Sequence, residues 1–200
     1  MSSINALVYH SYSSIPNYSE LMPGVPACFR EIKTLGDLLT INYKPPTIEQ
    51  QIRGNLVSKI QSGQNPYRGI IGYEDDVLPA LDRAILSGHD LLLVGQIGQA
   101  KTKIAESIAR NLLSLIPVVR GTLTNDIPIT IPEEELIAML NDVEINRMSP
   151  EFSVSADCET TIRDNKLDTK IDWIDGVSRY RYILATPDIS VKDLVGQIDA

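Results

Sequence analysis

Cysteine, histidine and large aromatic residues are scarce in this chain of 200 residues, which has two cysteines, two histidines, one tryptophan and two phenylalanines. Cys28 and Cys158 lie far apart, so nothing indicates a disulfide framework. His10 and His89 do not join them at the spacing of metal ligands. This scarcity argues against a disulfide-rich or zinc-stabilised fold.

The chain also has few positively charged residues and few long apolar runs. Lys and Arg number 18 against 26 Asp and Glu, which leaves a net charge of −8 and an isoelectric point near 4.8. That balance argues against a broad surface for nucleic acids or anionic membranes, although a local basic loop is compatible with it. Because the sequence shows no signal-peptide core and no run of transmembrane length, we expect a cytoplasmic protein without a membrane partner.

What the chain does have is an apolar content of 43%, which is enough for a hydrophobic core in one domain with appendages. Residues 1–46 predict an N-terminal tail, rich in Ser, Tyr and Pro at its start, and a short helix. Residues 47–200 predict the main domain, which carries a polar insert at about 123–180.

Capping and spacing patterns predict two helices ahead of the central motif. The first begins with a capping box, Thr47 with Gln50, and ends near Gly63. Its apolar stripe consists of Ile48, Ile52, Leu56 and Ile60. The second ends near Gly88 and buries Val77, Leu81, Ala84 and Ile85. The acidic cluster Glu74–Asp76 suits the start of that second helix, with a metal site as the alternative.

The most informative stretch is a glycine-opened loop that ends in Lys101 and Thr102. It has the pattern of a nucleotide-phosphate-binding loop, G-x-x-x-x-G-K-[ST], with Ala100 in place of the second glycine. Gly95 and Gly98 allow successive backbone N–H groups to point at phosphate oxygens. The lysine would supply positive charge to the outer phosphates, and the threonine a hydroxyl to Mg²⁺.

The surroundings of this loop strengthen the prediction. Asp90–Val94 predicts a short, fully buried parallel strand, and Lys101–Leu115 predicts a helix with apolar residues at helical spacing. A strand, a loop and a helix in this order are the context that a phosphate-binding loop requires. The alternative is a glycine-rich turn between a core strand and a core helix.

The rest of the chain is less regular. Ile116–Arg120 predicts a strand, Glu133–Asn141 a short helix, and Arg179–Ala185 a further strand. Ser149–Gly176 is polar and predicts no regular element.

Together these residues resemble the start of an AAA+ ATPase and, more narrowly, the ATPase subunit of magnesium chelatase and its relatives. The resemblance is carried by Gly69–Glu74, Ala84–Leu86, Asp90–Leu93 and Gly98–Thr102. Ala before the loop lysine is common in that clade, so Ala100 is expected within it. Later, Leu184–Asp188 followed by Asp193–Gly196 resembles the second sheet strand and the segment beyond it.

The resemblance implies an α/β fold of the P-loop NTPase (AAA+) type, with a three-layer parallel sheet and helices on both faces. It implies ATP and Mg²⁺ as cofactors, with Thr102 as the magnesium contact. The phosphate loop would consist of Gly95, Gln96, Ile97, Gly98, Gln99, Ala100, Lys101 and Thr102. Ile70, Ile71 and Gly72 match positions that line the adenine pocket in AAA+ proteins, with plain core packing as the alternative.

The resemblance also implies parts that are missing here. In the family, a second acidic motif on the next strand, a polar sensor and an arginine from a neighbouring subunit complete the site. These lie beyond the segment that Gly196 matches, and Asp188 resembles the segment before the acidic motif, so no catalytic residue is assigned. We therefore expect a fold that is incomplete at the C-terminus and prone to associate, with weak nucleotide binding at best and negligible hydrolysis.

Three functions remain open at this point. The first is the ATP-binding module of a magnesium-chelatase-like AAA+ ATPase, which in full-length form assembles as a homo-oligomeric ring and couples ATP hydrolysis to remodelling of a partner protein or to metal insertion. The second is a non-enzymatic partner-binding module with a vestigial loop, anchored by Trp173, Tyr180 and Tyr182. The third is a small-molecule kinase, for which no acceptor-binding signature is evident.

Overall fold

The computed structural model describes residues 25–26, 28–144 and 154–183, and this part of the chain contains seven α-helices and two β-strands. The helices are α1 (Leu35–Thr40), α2 (Ile48–Gln61), α3 (Val77–Leu86), α4 (Lys101–Leu112), α5 (Glu133–Leu140), α6 (Ala156–Asn165) and α7 (Gly176–Arg179). The strands are β1 (Ile116–Val119) and β2 (Ile171–Ile174). Single 3₁₀ turns span Pro128–Thr130 and Lys166–Asp168. No helix within the described ranges combines the length and the apolar composition needed to cross a membrane.

Two apolar clusters form most of the core. The loop-side cluster joins α2, α3 and α4, and its buried members are Leu56, Tyr67, Ile70, Leu78, Leu81, Ile85, Ile104 and Leu112. The sheet-side cluster joins α1, β1, α5 and α6, and its buried members are Leu35, Val119, Ile131, Leu136, Met139, Val154, Cys158 and Ile162. The helices predicted for residues 47–63, 77–88, 101–115 and 133–141 are confirmed, each with slightly shorter bounds.

Helix α2 begins as predicted but buries a different face. The Thr47 hydroxyl accepts from the Gln50 N–H at 3.2 Å, and the Gln50 carboxamide accepts from the Thr47 N–H at 3.0 Å. Leu56 of the predicted apolar stripe is buried, whereas Ile48 and Ile60 are exposed. The apolar pattern therefore predicted the helix correctly and its orientation only in part.

Two polar side chains of α2, Gln51 and Asn55, take the buried positions instead. Asn55 Nδ2 donates to the carbonyl oxygen of Leu112 at 2.8 Å and to the hydroxyl of Ser114 at 2.9 Å. Gln51 Oε1 accepts from the Ser114 N–H at 3.2 Å. Buried amides are stable only when they are hydrogen-bonded, so these bonds determine which face of α2 meets the end of α4.

Helix α7 is attached to the same place. Arg179 Nη1 donates to Gln51 Oε1 at 2.7 Å and to the carbonyl oxygen of Ser114 at 2.8 Å. Burial lowers the pKa of this guanidinium. A β carbon on Gly176 would lie 1.9 Å from the carbonyl oxygen of Ala109 in α4, so no larger residue fits at position 176 without moving the helix. The C-terminal end of α4 is therefore held firmly by α2 and α7.

Strands β1 and β2 pair antiparallel, with Ile116 opposite Ile174 and Val119 opposite Ile171. The strand predicted at Ile116–Arg120 is thus confirmed. The prediction that Ser149–Gly176 has no regular element is wrong, because α6 and β2 both lie within it. Helix α6 could not be predicted from apolar spacing, because it buries just two side chains, Cys158 and Ile162, among ten residues that are otherwise mostly polar.

The strand predicted at Leu91–Val94 forms no sheet pairing within the described part of the chain, and the burial expected of it is not seen. Leu92 is 86% exposed and Val94 is 84% exposed. Residues 90–95 form no regular element, and no neighbouring strand among the described residues covers them or pairs with them. The two-stranded sheet that is described lies elsewhere, so the three-layer parallel sheet stays a prediction.

The strand predicted at Arg179–Ala185 is not found in its described part, because Arg179 ends α7 and residues 180–183 form no strand. Its last two residues lie outside the described residues. The same is true of Leu184–Asp188 and Asp193–Gly196, which carry part of the family resemblance, and of nearly all of the predicted N-terminal tail.

Candidate functional site

The predicted phosphate loop ends where helix α4 begins. Gly98 and Ala100 both have positive φ, +88° and +54° respectively. Glycine adopts such a conformation freely, whereas an alanine in the left-handed region costs roughly 1 kcal/mol. The turn at Ala100 is therefore maintained by contacts elsewhere in the loop.

The side chain of Lys101 folds back over this loop. Its Nζ donates to the carbonyl oxygen of Gly95 at 2.7 Å and to that of Gln96 at 2.5 Å. These two acceptors replace part of the water around the ammonium group and keep the charge beside the loop. A bound anion would meet a cation whose position is already determined.

A second pair of hydrogen bonds closes the loop across residues 96–99. The Gln96 N–H donates to Gln99 Oε1 at 2.8 Å, and the Gln99 N–H donates to the carbonyl oxygen of Gln96 at 3.4 Å. The side chain and the backbone of Gln99 thus both bind the backbone of Gln96. This reciprocal pairing is the contact that holds the turn preceding Ala100.

Several backbone N–H groups at the end of the loop have no acceptor in the described part of the chain: those of Gly98, Ala100, Lys101 and Thr102. No side chain caps the start of α4 either. Free N–H groups at the start of a helix, together with the positive end of the helix dipole, favour an anion. The loop therefore offers donors and positive charge, which is the chemistry that a phosphate group requires.

The hydroxyl of Thr102 is free as well, and its residue is exposed. One hydroxyl suits Mg²⁺, which keeps several waters and takes its remaining ligands from one or two protein groups and from substrate phosphates. No group of three or more His, Cys, Asp or Glu side chains in the described ranges could hold a metal ion. The hydroxyl of Thr102 thus fits a magnesium ion that arrives with a nucleotide, and magnesium binding stays a prediction.

Beside the loop lies a cavity of about 320 Å³. Its lining includes Tyr73, Val77, Leu92, Val94, Lys101 and Ile104. Lys101 gives it one charged end, and the remaining walls are mainly apolar. Tyr73 and Val77 were not among the predicted site residues. Their spacing of four residues at the start of α3, directly after the predicted adenine-pocket trio, was the available signal.

The trio Ile70, Ile71 and Gly72 is placed in three different environments. Ile70 packs in the loop-side cluster, and Ile71 is exposed. Gly72 has φ +84°, and its N–H donates to Glu74 Oε2 at 2.7 Å. None of the three lines the cavity, so their role at an adenine ring stays a prediction.

Two acidic residues ahead of α3 accept hydrogen bonds from backbone N–H groups. Asp76 is the N-cap of α3, and its Oδ1 accepts from the Val77 N–H at 2.6 Å. Glu74 accepts from Gly72, as noted above. Asp76 therefore has the helix-start role that the sequence favoured over a metal site.

No carboxylate in the described residues lines the cavity beside the loop. Asp172 in β2 binds Arg120, whose Nη2 lies 2.6 Å from Oδ1, and this hydrogen bond lowers the pKa of the carboxyl group. Asp175 caps α7 by accepting from the Ser178 N–H at 2.8 Å. Helix α7 packs near the C-terminal end of α4, at the opposite end from the loop, so Asp175 is remote from it.

Of the three predicted anchor aromatics, Trp173 packs against other aromatic rings of the chain. Its ring centroid lies 5.7 Å from that of Phe29 and 5.5 Å from that of Tyr43, and its Nε1 donates to the carbonyl oxygen of Ile32. The Tyr43 hydroxyl has no hydrogen-bond partner in the described part of the chain, and burial raises its pKa to about 12. Tyr182 is exposed. The rings of Phe29, Tyr43 and Trp173 therefore pack together beside β2, and the role of Trp173, Tyr180 and Tyr182 as anchors for a partner stays a prediction.

No protein-family model, no curated protein and no solved structure matches this chain. The function has to be argued from the loop and its surroundings.

Proposed function

We propose that this chain is the ATP-binding module of a magnesium-chelatase-like AAA+ ATPase. The observation that carries the proposal is the loop before α4, where four unpaired N–H groups lie beside a lysine held by two loop carbonyls. Phosphate oxygens are the ligands that such donors and such a charge favour. The adjoining cavity has room for further parts of a nucleotide.

In this proposal, the backbone of Gly98–Thr102 binds the β- and γ-phosphates and Lys101 offsets their charge. The Thr102 hydroxyl would hold Mg²⁺, which neutralises negative charge on the phosphates when it is bound. No described residue takes the role of general base. Hydrolysis by these residues alone is therefore expected to be negligible.

The fold and assembly belong to the same proposal. An apolar segment such as Leu91–Val94, whose N–H groups have no acceptor among the described residues, is what the central strand of a parallel sheet presents before its neighbours are added. We propose that in a complete AAA+ protein this segment lies inside the three-layer sheet. The module would then work in a cytoplasmic homo-oligomeric ring and couple ATP binding and hydrolysis to partner remodelling or metal insertion.

Titration of the purified chain with a fluorescent ATP analogue in the presence of Mg²⁺ tests this function. We expect saturable, magnesium-dependent binding. Lys101→Ala should weaken it by at least about 30-fold, because a charge-assisted hydrogen bond contributes about 2 kcal/mol and each 1.4 kcal/mol is a factor of ten. Lys103→Ala is the matched control, since Lys103 lies in the same helical turn but pairs with Glu106 on the surface.

Three results would contradict the proposal. Folded wild-type protein that fails to bind ATP would favour the partner-binding module with a vestigial loop. An equal loss in the Lys101 and Lys103 variants would mean that general surface charge, not the loop, attracts the nucleotide. Transfer of the γ-phosphate to an added small molecule would favour the kinase.

A further inference from the structure

The peptide group between Gly95 and Gln96 is held from both sides by side chains of the same loop. Its carbonyl oxygen accepts from Lys101 Nζ at 2.7 Å, and its N–H donates to Gln99 Oε1 at 2.8 Å. The C=O and N–H of a trans peptide point in opposite directions. The two side chains together therefore determine the orientation of this peptide plane.

Gln99 also contacts the other groups that position the lysine. The carbonyl oxygen of Gln96, the second acceptor for Lys101 Nζ, receives the Gln99 N–H at 3.4 Å. A β carbon on Gly95 would lie 2.3 Å from Gln99 Oε1, so the carboxamide fills the space beside that glycine. Both carbonyl groups that hold the ammonium are thus oriented by Gln99.

We propose that Gln99 is a positioning residue of the phosphate-binding loop, whose carboxamide locks the Gly95–Gln96 peptide and so holds Lys101 where a nucleotide phosphate meets it. This inference rests on the proposed function. Gln99 acts through the lysine, because its Oε1 accepts from the Gln96 N–H and so orients the Gly95–Gln96 peptide whose carbonyl oxygen binds Lys101 Nζ. Its role is therefore distinct from that of the backbone donors that follow it.

The test compares Gln99→Leu with Gln61→Leu in the full chain. The first substitution removes the acceptor at similar volume, whereas the Gln61 side chain lies at the end of α2, outside the loop, is exposed and makes no hydrogen bond within the described residues. Because one hydrogen bond contributes about 1 kcal/mol, Gln99→Leu should weaken Mg·ATP binding roughly 5- to 10-fold, and Gln61→Leu should leave it within about 2-fold. Circular dichroism of both variants checks that the chain still folds.

A second measurement needs no nucleotide. Hydrogen exchange at the Gln96 amide should be slow in the wild type and in Gln99→Glu, which keeps an acceptor oxygen, and fast in Gln99→Leu. A merely structural substitution would not accelerate exchange at this one amide. In addition, Gly95→Ala should weaken ATP binding. Adding Gln99→Ala to that variant should restore part of the lost affinity, because it removes the side chain that overlaps with the new β carbon.

The outcomes separate the two proposals. Wild-type binding with an unchanged or tighter affinity in Gln99→Leu would overturn the positioning role, because the carboxamide would then be idle or would compete with phosphate. An unprotected Gln96 amide in the wild type would overturn it as well. Failure of the wild type to bind any nucleotide would overturn the function of the loop and this inference together.

Discussion

The loop side and the sheet side of the molecule differ in how far their polar groups are paired. On the loop side, the N–H groups of Leu91–Val94 and of the start of α4 have no acceptor in the described part of the chain. On the sheet side, β1 and β2 pair along four residues each. There, Asp126 also accepts hydrogen bonds from Ser155 N at 2.9 Å, Ser155 Oγ at 2.7 Å and Thr124 Oγ1 at 2.6 Å.

The same contrast holds for apolar groups. The sheet-side cluster encloses its members, whereas Leu92 and Val94 are largely exposed on either side of Leu93, which packs against the loop-side cluster. Exposed backbone N–H groups without a protein acceptor and exposed apolar side chains favour binding to a ligand or to another chain. Where they coincide with a phosphate-binding pattern, they indicate the surface at which ligand and further strands are expected to bind.

Replacing Met139 is expected to have the largest effect on stability and would show that the sheet side carries the fold. Met139 is 0% exposed within the sheet-side cluster. Met139→Ala should lower the free energy of unfolding by about 3 kcal/mol, because it leaves a cavity among residues that cannot collapse fully. Urea denaturation followed by circular dichroism measures this value.

Ile137 in the same helix is the matched control, since its side chain is 36% exposed. Ile137→Ala should cost less than about 1 kcal/mol. Equal losses in the two variants would mean that α5 is not packed as described, and the contrast between the two sides would weaken.

The elements that could be predicted from the sequence are those whose signal is local. The Thr47 capping box and the apolar spacing that predicted α3 and α4 each lie within one helix, and the capping box and both helices were confirmed. The loop pattern likewise lies within eight consecutive residues. Its pairing of Gln96 with Gln99 did not follow from the pattern, because any residue type is allowed at those positions.

Features that depend on distant partners could not be predicted. Gln51 and Asn55 are buried because they bind groups about 60 residues away, at Leu112 and Ser114. Strand β2 is short, and just one of its side chains, Ile171, is fully buried, so it becomes a strand through pairing with β1. Conversely, Leu91–Val94 has the composition of a buried strand but lacks neighbours among the described residues.

Acid should weaken the link between Asp126 and the start of α6, an effect of intermediate size. Burial raises the pKa of this carboxyl group, but hydrogen bonds from Thr124, Ser155 and Thr122 outweigh it and leave the pKa below its ordinary value. A lowered pKa means that the stabilisation is present above the unfolded-state pKa, about 3.9, and is lost as the pH falls through the folded-state value. Asp126→Asn should therefore destabilise the chain by about 1–2 kcal/mol at pH 7, and the difference should shrink below about pH 4.

Asp164→Asn provides the control for this titration, because Asp164 lies exposed on the same α6 helix. It should change the free energy of unfolding by less than about 0.5 kcal/mol at either pH. If the two variants gave parallel pH profiles, the hydrogen bonds to Asp126 would have no measurable role, and the sheet side would be less tightly paired than its geometry indicates.

The smallest expected effect on stability comes from changes in the exposed segment Leu91–Val94, and these changes test the loop side separately from the sheet side. Leu92→Ser and Val94→Ser should each change the free energy of unfolding by less than about 0.5 kcal/mol, since neither side chain is buried. Self-association should fall, because a segment with unpaired N–H groups and apolar side chains is a template for pairing between chains. Sedimentation velocity over a concentration series measures this, with Leu123→Ser, another exposed leucine on the sheet side, as control.

Reduced association in the Leu92 and Val94 variants alone would locate the contact at this segment. A wild-type chain that stays monomeric at every concentration would show that the segment is protected without any partner, and the proposal that it awaits neighbouring strands would lose its main support.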